Sequence, residues 1–156
     1  MTKFVYEMEN LLDIAYQLED QAKSEFANAM NALLREEDKL ERLNTRQEFY
    51  QNKLTDLVQL DFDLLEIQKY KAAFENNKIN IKEQEKKVFF ANQKVEKARE
   101  KLRQAMVECK THEKLKERAK EEYLEEYKLH QQKEIDEITS YRYGNTAKSE
   151  EELNVS

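Results

Sequence analysis

The sequence predicts an all-α fold, a long antiparallel two-helix coiled-coil hairpin in which the second helix overhangs the first. The chain of 156 residues has no proline and one glycine, so few positions can interrupt a helix. It is 39% hydrophobic and 38% charged, and a composition rich in Glu, Lys, Gln, Leu and Ala is typical of long paired helices. Apolar residues recur at alternating steps of three and four, which is the coiled-coil pattern.

The first helix is predicted over residues 3–58, where an apolar stripe follows most of the segment. Two successive steps of four, from Leu18 to Phe26, indicate a stutter that would locally unwind the supercoil. Glu36 and Gln47 occupy positions of the stripe, where a polar residue can fix the register of two helices. The apolar members of the stripe are Phe4, Met8, Leu11, Ala15, Leu18, Ala22, Phe26, Ala29, Leu33, Leu40, Leu43, Tyr50, Leu54 and Leu57.

A turn is predicted at residues 59–62, directly before a helix-start signal, with an uninterrupted helix as the alternative. Asp63 followed by Glu66 has the spacing of a capping box, in which each side chain satisfies a free backbone N–H group. Phe62 and Ile67 flank this pair at the positions of a hydrophobic staple, which would fix the direction in which the chain enters the helix.

The second helix is predicted over residues 63–143. Its stripe is most regular between Val88 and His112, where seven successive steps alternate between three and four. The pattern is looser before this stretch, and an alternative turn at residues 75–78 stays open because asparagine is a poor helix former.

The chain is predicted to form a single hairpin domain over residues 1–144. Gly144 and Asn145 make a good C-terminal stop for the second helix. The polar and acidic residues 145–156 are predicted to be a disordered tail.

The charges are distributed in blocks that favour the hairpin. Residues 1–60 hold 7 basic and 12 acidic side chains, whereas residues 82–120 hold 13 basic and 7 acidic ones. If the chain folds back near residue 61, residue n lies opposite roughly residue 122 − n, which brings the two blocks together. Opposed blocks select the antiparallel orientation, although each exposed ion pair contributes little free energy. Glu36 is expected to be paired near Lys86 and Lys87.

The second helix is expected to extend about twenty residues beyond the first, at roughly 1.5 Å per residue. This overhang keeps an apolar face that the hairpin cannot cover, so we expect an external partner there, with a frayed end as the alternative. Its apolar residues are Tyr123, Tyr127, Ile135, Ile138 and Tyr141.

Composition and motifs argue against an enzyme and against a cofactor. Glycine-rich phosphate loops are excluded by the single glycine, and two helices offer no cleft for a nucleophile and its base. Cys109 and His112 are three residues apart but both fall on the apolar stripe, so we expect a structural role and no metal. The net charge of −6 argues against nucleic acid, and no apolar run is long enough for a transmembrane segment.

Ordered motifs along the chain resemble the flagellar FliJ family. The run from Cys109 to Arg118, a tyrosine at Tyr123 and the triplet Asp136-Glu137-Ile138 are similar to the family's C-terminal signature. The opening of the chain, from Phe4 to Leu12, is similar to the start of the family's sequences, so the resemblance covers nearly the whole chain.

The resemblance implies a non-enzymatic stalk of the flagellar type III export apparatus. Such proteins form an antiparallel coiled coil, insert into the export ATPase hexamer and promote its assembly. They also link the ATPase to the membrane export gate protein and to export chaperones, at the cytoplasmic face of the membrane at the flagellar base. The residues expected to contact the ATPase ring are Tyr123, Tyr127, Asp136, Glu137 and Ile138.

The resemblance also implies an export-gate contact just after the turn. The family carries a row of aromatic and aliphatic residues there, which corresponds to Tyr70, Ala73, Asn77 and Ile81. Ala73 and Asn77 depart from that row, and Phe74 could serve instead. A generic tethering coiled coil and the equivalent stalk of a virulence secretion system are the alternative functions.

Overall fold

The computed structural model describes residues 3–60 and 63–155 and contains two helices. Helix α1 spans Glu9–Gln59 and helix α2 spans Leu64–Val155. The helices pack side by side in antiparallel orientation within residues 16–107. Tyr50 contacts Tyr70 near the connection, whereas the earlier Glu25 of α1 pairs with the later Lys101 of α2. The predicted all-α hairpin with a longer second helix is confirmed.

Helix α1 begins six residues later than predicted. The Glu9 N–H donates to the Tyr6 carbonyl at 3.2 Å and the Leu12 N–H donates to the Met8 carbonyl at 3.1 Å, which closes the first turn. Residues 3–6 have no regular secondary structure. These residues include no side chain that commonly caps the N-terminus of a helix, so they do not favour a helix start. Glu9 favours a start at its own position, because its negative charge interacts well with the N-terminal end of the helix dipole.

The connection between the helices lies at residues 60–63, and residues 75–78 are helical. Asp63 caps α2, because its Oδ1 accepts a hydrogen bond from the Leu65 N–H at 3.2 Å. Its backbone carbonyl also accepts from the Glu66 N–H at 3.1 Å. Phe62, the predicted partner of Ile67 in the hydrophobic staple, lies outside the described residues.

The seam of α1 is more regular than the sequence suggested. From Leu12 to Leu57 a series of buried and half-buried positions alternates in steps of three and four with no stutter, and Glu25 and Met30 are half-buried beside it. Leu12 is 2% exposed whereas Leu11 is 50% exposed, so the inward residue is the second leucine of the pair. Glu19 likewise takes the inward position that was predicted for Leu18.

The chain divides into two compact units. One unit comprises residues 16–107 and holds the connection and most of the helix pair. In this unit two polar layers interrupt the apolar seam: Asn77 contacts α1 at Gln47, and Gln84 contacts α1 at Glu36. Buried amides that bond to one specific backbone position penalise any sliding of the helices, so these layers fix the register.

The other unit joins the residues up to Ala15 with those from Glu108 onward. Here the Cys109 thiol donates to the Ala15 carbonyl at 3.0 Å, and Lys116 forms an ion pair with Glu9 at 3.0 Å. In each unit the paired residues fit the predicted register, and they pair basic residues of α2 with acidic residues of α1.

Helix α2 continues through Gly144 to Val155, so the predicted end at residue 143 and the disordered tail are corrected. Gly144 keeps a negative backbone φ, and a stop signal acts only if the glycine adopts the left-handed conformation. The residues that follow are mostly good helix formers, and the Ser149 hydroxyl donates to the Asn145 carbonyl at 3.1 Å.

Candidate partner-binding surfaces

The last part of α2 has no covering element among the described residues. Every residue from 128 to 154 is exposed, and we call this stretch the uncovered segment. Isolated helices depend on length and propensity for their stability, because they have no packed apolar face. The uncovered segment nevertheless carries large apolar side chains, namely Leu129, Ile135, Ile138, Tyr141, Tyr143 and Leu153.

Tyr123 and Tyr127, the first two predicted ring contacts, are half-buried and lie just before the uncovered segment. The Phe4 ring lies 5.5 Å from the Tyr123 ring, measured between centroids, and Tyr123 stacks on Tyr127 at 6.4 Å. Tyr123 was expected to be uncovered. Phe4 partly covers it because residues 3–6 are not helical. An extended chain rises about 3.3 Å per residue and a helix about 1.5 Å, so the extended start carries Phe4 further along α2 than a helical start would.

A groove of about 510 Å³ lies beside this aromatic group, between residues 3–8 and residues 119–126 of α2. Tyr6 lines it, and the Tyr6 hydroxyl is buried with no hydrogen-bond partner among the described residues. Glu122 and Glu126 lie on its α2 side. The groove is therefore part of the same surface as Tyr123.

The other three predicted ring contacts lie on the uncovered segment but on different sides of it. At about 100° per residue, Ile138 lies within roughly 20° of Tyr127 around the helix axis. Asp136 lies on the opposite side, and Glu137 lies between the two. Asp136 accepts a hydrogen bond from the Gln132 side chain at 3.1 Å, and all three predicted contacts are exposed. A partner that contacts all five residues must surround the helix.

The residues predicted for the gate contact lie near the connection and face α1. Tyr70, Ala73, Phe74 and Ile81 are half-buried, and the Tyr70 ring lies 6.5 Å from the Tyr50 ring. Part of each of these four side chains stays exposed, so they pack against α1 and also form a partly exposed edge.

Asn77 does not belong to that exposed edge. It is 3% exposed, and its amide nitrogen donates to the Leu43 carbonyl at 2.9 Å and to Gln47 Oε1 at 2.8 Å. A partner could reach this side chain only if both hydrogen bonds broke. The assignment of Asn77 to the gate contact is therefore corrected, because a small polar residue in the seam serves the helix pair.

Glu36 forms the most perturbed electrostatic site in the seam. The Gln84 side chain donates to its carboxylate, and Lys39 and Lys87 lie nearby. The Gln84 hydrogen bond, helped by the two lysines against partial burial, lowers the pKa of the Glu36 carboxyl below its ordinary value of 4.5. The expected pairing of Glu36 is thus present, with Gln84 as its main partner.

Cys109 and His112 occupy adjacent seam positions. Cys109 is buried and bonds to a backbone carbonyl, so its thiol serves packing. The described residues contain no group of three or more His, Cys, Asp or Glu side chains that could hold a metal ion. Neither of the helices, over its described length, is long and apolar enough to cross a bilayer.

Sequence reasoning missed two features of these surfaces. The contact of Phe4 with Tyr123 depends on a non-helical start that the apolar stripe concealed. A second groove in the unit of residues 16–107 lies beside Phe90, and its signal was the exposed pair Phe89-Phe90, which lies off the stripe.

Comparison with known proteins gives one family and one solved structure. Residues 4–148 match the family described as "Flagellar FliJ protein". The chain is also similar to a structure titled "Structure of a putative YscO homolog CT670 from Chlamydia trachomatis", with 22% identity and a TM-score of 0.48. That similarity covers 90% of this chain and 96% of the other. No curated protein matches.

Proposed function

We propose, because this chain belongs to the flagellar FliJ family of non-catalytic type III export components, that its uncovered segment inserts into the ring of the export ATPase hexamer. The observation that supports this proposal is the continuous helix of exposed residues from 128 to 154. A helix that carries large apolar side chains and has no intramolecular cover is typically stabilised by a partner.

A ring suits the distribution of the contact residues better than a flat partner does. Ile138 and Asp136 lie on opposite sides of α2, so only a partner that encloses the helix can contact both at once. Tyr123 and Tyr127 would meet the rim of the ring, where the helix pair ends. The protein would promote ring assembly by bridging neighbouring ATPase subunits.

The same arrangement allows the stalk to influence the ATPase. A bound rod can shift the ring between states only if it binds those states with different affinity. The uncovered segment differs on each side, with Ile138 and Tyr141 on one side and Asp136 on another. Subunits around it would therefore meet different surfaces, which gives each subunit a different binding free energy.

The gate contact is proposed at the exposed edges of Tyr70, Ala73, Phe74 and Ile81, near the connection. These residues lie in the unit of residues 16–107, apart in sequence from the ring-binding residues. One chain would then link the ATPase ring to the membrane export gate protein and receive export chaperones, at the cytoplasmic face of the membrane.

The ring contact is tested by Ile138→Asp, with Ile79→Asp as the matched control. The two isoleucines are 55% and 57% exposed on the same helix, so each substitution places one charge at an equally exposed position. We expect Ile138→Asp to weaken binding to the purified export ATPase by about ten-fold or more and to abolish stimulation of ATP hydrolysis. Circular dichroism should show unchanged helicity. Equal stimulation by the two variants would contradict the ring assignment.

A further inference from the structure

A groove in the unit of residues 16–107 has no role in the function proposed above. It lies between α1 and α2, has a volume of about 270 Å³, and includes the exposed ring of Phe90. Its remaining lining residues are Ala29, Ala32, Glu36, Lys87, Ala91 and Lys94. It is separate from the proposed ring contact and from the proposed gate contact.

The groove exists because small residues meet where the helices face each other. Ala29 and Ala91 are both half-buried seam residues, and neither side chain can fill the space between the helices. The neighbouring seam positions carry larger residues, Phe26 and Leu33 on α1 and Val95 on α2. The result is an apolar depression of the size of one large side chain, with Phe90 standing at its edge.

The rim of the groove is positively charged. Lys87 and Lys94 line it, and neither forms an ion pair within 4.0 Å among the described residues. By contrast, Lys101, which lies about two turns after Lys94 on the same side of α2, is paired with Glu25 at 2.9 Å. The Glu36 carboxylate at the groove attracts Lys87, but it also lies 3.6 Å from the Lys39 ammonium group. With Lys87 and Lys94 against one carboxylate, the lining keeps a net positive charge.

We propose that this groove docks an acidic amphipathic helix of a partner protein. One large apolar side chain of that helix would enter the depression between Ala32 and Phe90, and carboxylates one turn to either side would pair with Lys87 and Lys94. Because Lys87 and Lys94 make the rim positive, a partner of complementary charge is acidic. A concave site between two helices accepts an inserted side chain, whereas a bilayer surface cannot enter it.

The test uses the full chain and a designed peptide of about 18 residues, which spans roughly 27 Å as a helix. The peptide carries leucines at helical spacing on one face and glutamates on both flanks. Fluorescence anisotropy should give a Kd on the order of 10 µM, as expected for a small docking contact. A peptide with lysines in place of the glutamates, and a scrambled peptide of the same composition, should bind at least about ten-fold more weakly.

Phe90→Ser and Phe89→Ser form the matched pair for the apolar part of the site. The two rings are 59% and 58% exposed and adjacent in sequence, but only Phe90 lines the groove. Phe90→Ser should weaken peptide binding by about ten-fold or more, and Phe89→Ser by less than about two-fold. Both residues lie outside the helix seam, so circular dichroism should show that both variants fold.

The double substitution Lys87→Glu with Lys94→Glu tests the charged rim. Lys82→Glu with Lys86→Glu makes the same change of charge on the same helix away from the groove. Only the first pair should lose binding by about ten-fold or more, and binding by the wild type should weaken as salt rises.

Several results would overturn the proposal. They are absence of peptide binding at about 100 µM, equal binding of the acidic and basic peptides, and equal effects of the two phenylalanine variants. Self-association in sedimentation that Phe90→Ser abolishes would identify the occupant as a second copy of the chain. Flotation with anionic phospholipid vesicles that depends on Phe90, without peptide binding, would identify a membrane surface.

Discussion

At the scale of single residues, the hairpin owes its register to amides in an otherwise apolar seam. Asn77 and Gln84 are the two buried polar side chains among the described residues, and both donate to α1. Apolar layers alone penalise a shift of one heptad less, because the apolar pattern repeats every seven residues and apolar contacts are not directional. A buried amide that loses its acceptor carries a desolvation cost, so a shifted register is penalised.

Asn77→Ala should therefore destabilise the hairpin by about 1–3 kcal/mol, because Gln47 Oε1 then loses its buried donor. The measurement is urea denaturation followed by circular dichroism. Asn76→Ala is the control, since Asn76 is an exposed neighbour on the same helix. Equal destabilisation by the two substitutions would contradict the role assigned to the Asn77 layer.

Glu36 makes the stability of the seam depend on pH. Its pKa is lowered in the folded chain, first by the Gln84 hydrogen bond and then by Lys39 and Lys87, so the carboxylate stabilises the fold above the ordinary pKa. This contribution is lost as the pH falls from about 4.5 through the lowered value. The wild type should exceed Glu36→Gln in urea midpoint at neutral pH, and the difference should shrink in acid.

The control for this pH profile is Glu37→Gln, at the adjacent exposed carboxylate. It should leave the midpoint nearly unchanged over the same range. A difference between the wild type and Glu36→Gln that is constant from neutral pH to acid would show that the pKa of Glu36 is not coupled to folding.

At the scale of elements, α2 contains two kinds of helix. From its start to Tyr127 it is held by packing against α1 and residues 3–8, and beyond that point it depends on its own propensity. Gly144 is the weakest position of the uncovered segment, because glycine costs about 1 kcal/mol relative to alanine in a helix. A helix that opens easily can adjust its conformation while a partner binds.

Gly144→Ala should stabilise the uncovered segment locally. No atom lies within 4 Å of the position that the added Cβ would take, so the substitution introduces no clash. Amide exchange of the flanking residues should slow by about five-fold, which corresponds to about 1 kcal/mol. Ala147→Gly should have the opposite effect. Faster exchange in Gly144→Ala would show that this glycine does not adopt a helical conformation in solution.

At the scale of the whole molecule, the pairing of the helices was predictable and their ends were not. Charge blocks and the position of the turn placed Lys116 near Glu9 and Lys101 near Glu25. Many charged and apolar residues together determine how the helices pair, whereas one or two residues determine where each helix ends. Gly144 illustrates this, since a single glycine is compatible with both a stop and a continuing helix.

The candidate sites were predictable only where they depend on helical spacing. The exposed position of Ile138 follows from the length of α2 beyond α1. The cover over Tyr123 depends on a non-helical start. The stripe was predicted to include Leu11, but the adjacent Leu12 is the buried one, and only packing distinguishes two neighbouring leucines. Asn77 was assigned to a partner because its row in the family is apolar, but here it bonds to Leu43 and Gln47.

The central claim is that the uncovered segment is the part of the molecule that binds the ATPase ring. Its most direct test compares the full chain with a chain that ends at Tyr127, by measuring the affinity of each for the purified hexameric export ATPase. Because the removed residues cover no part of the helix pair that the structure describes, the shortened chain should keep its fold and its thermal midpoint. We predict that it loses ATPase binding by at least about 100-fold. An unchanged affinity would contradict the claim and place the ATPase contact elsewhere on the hairpin.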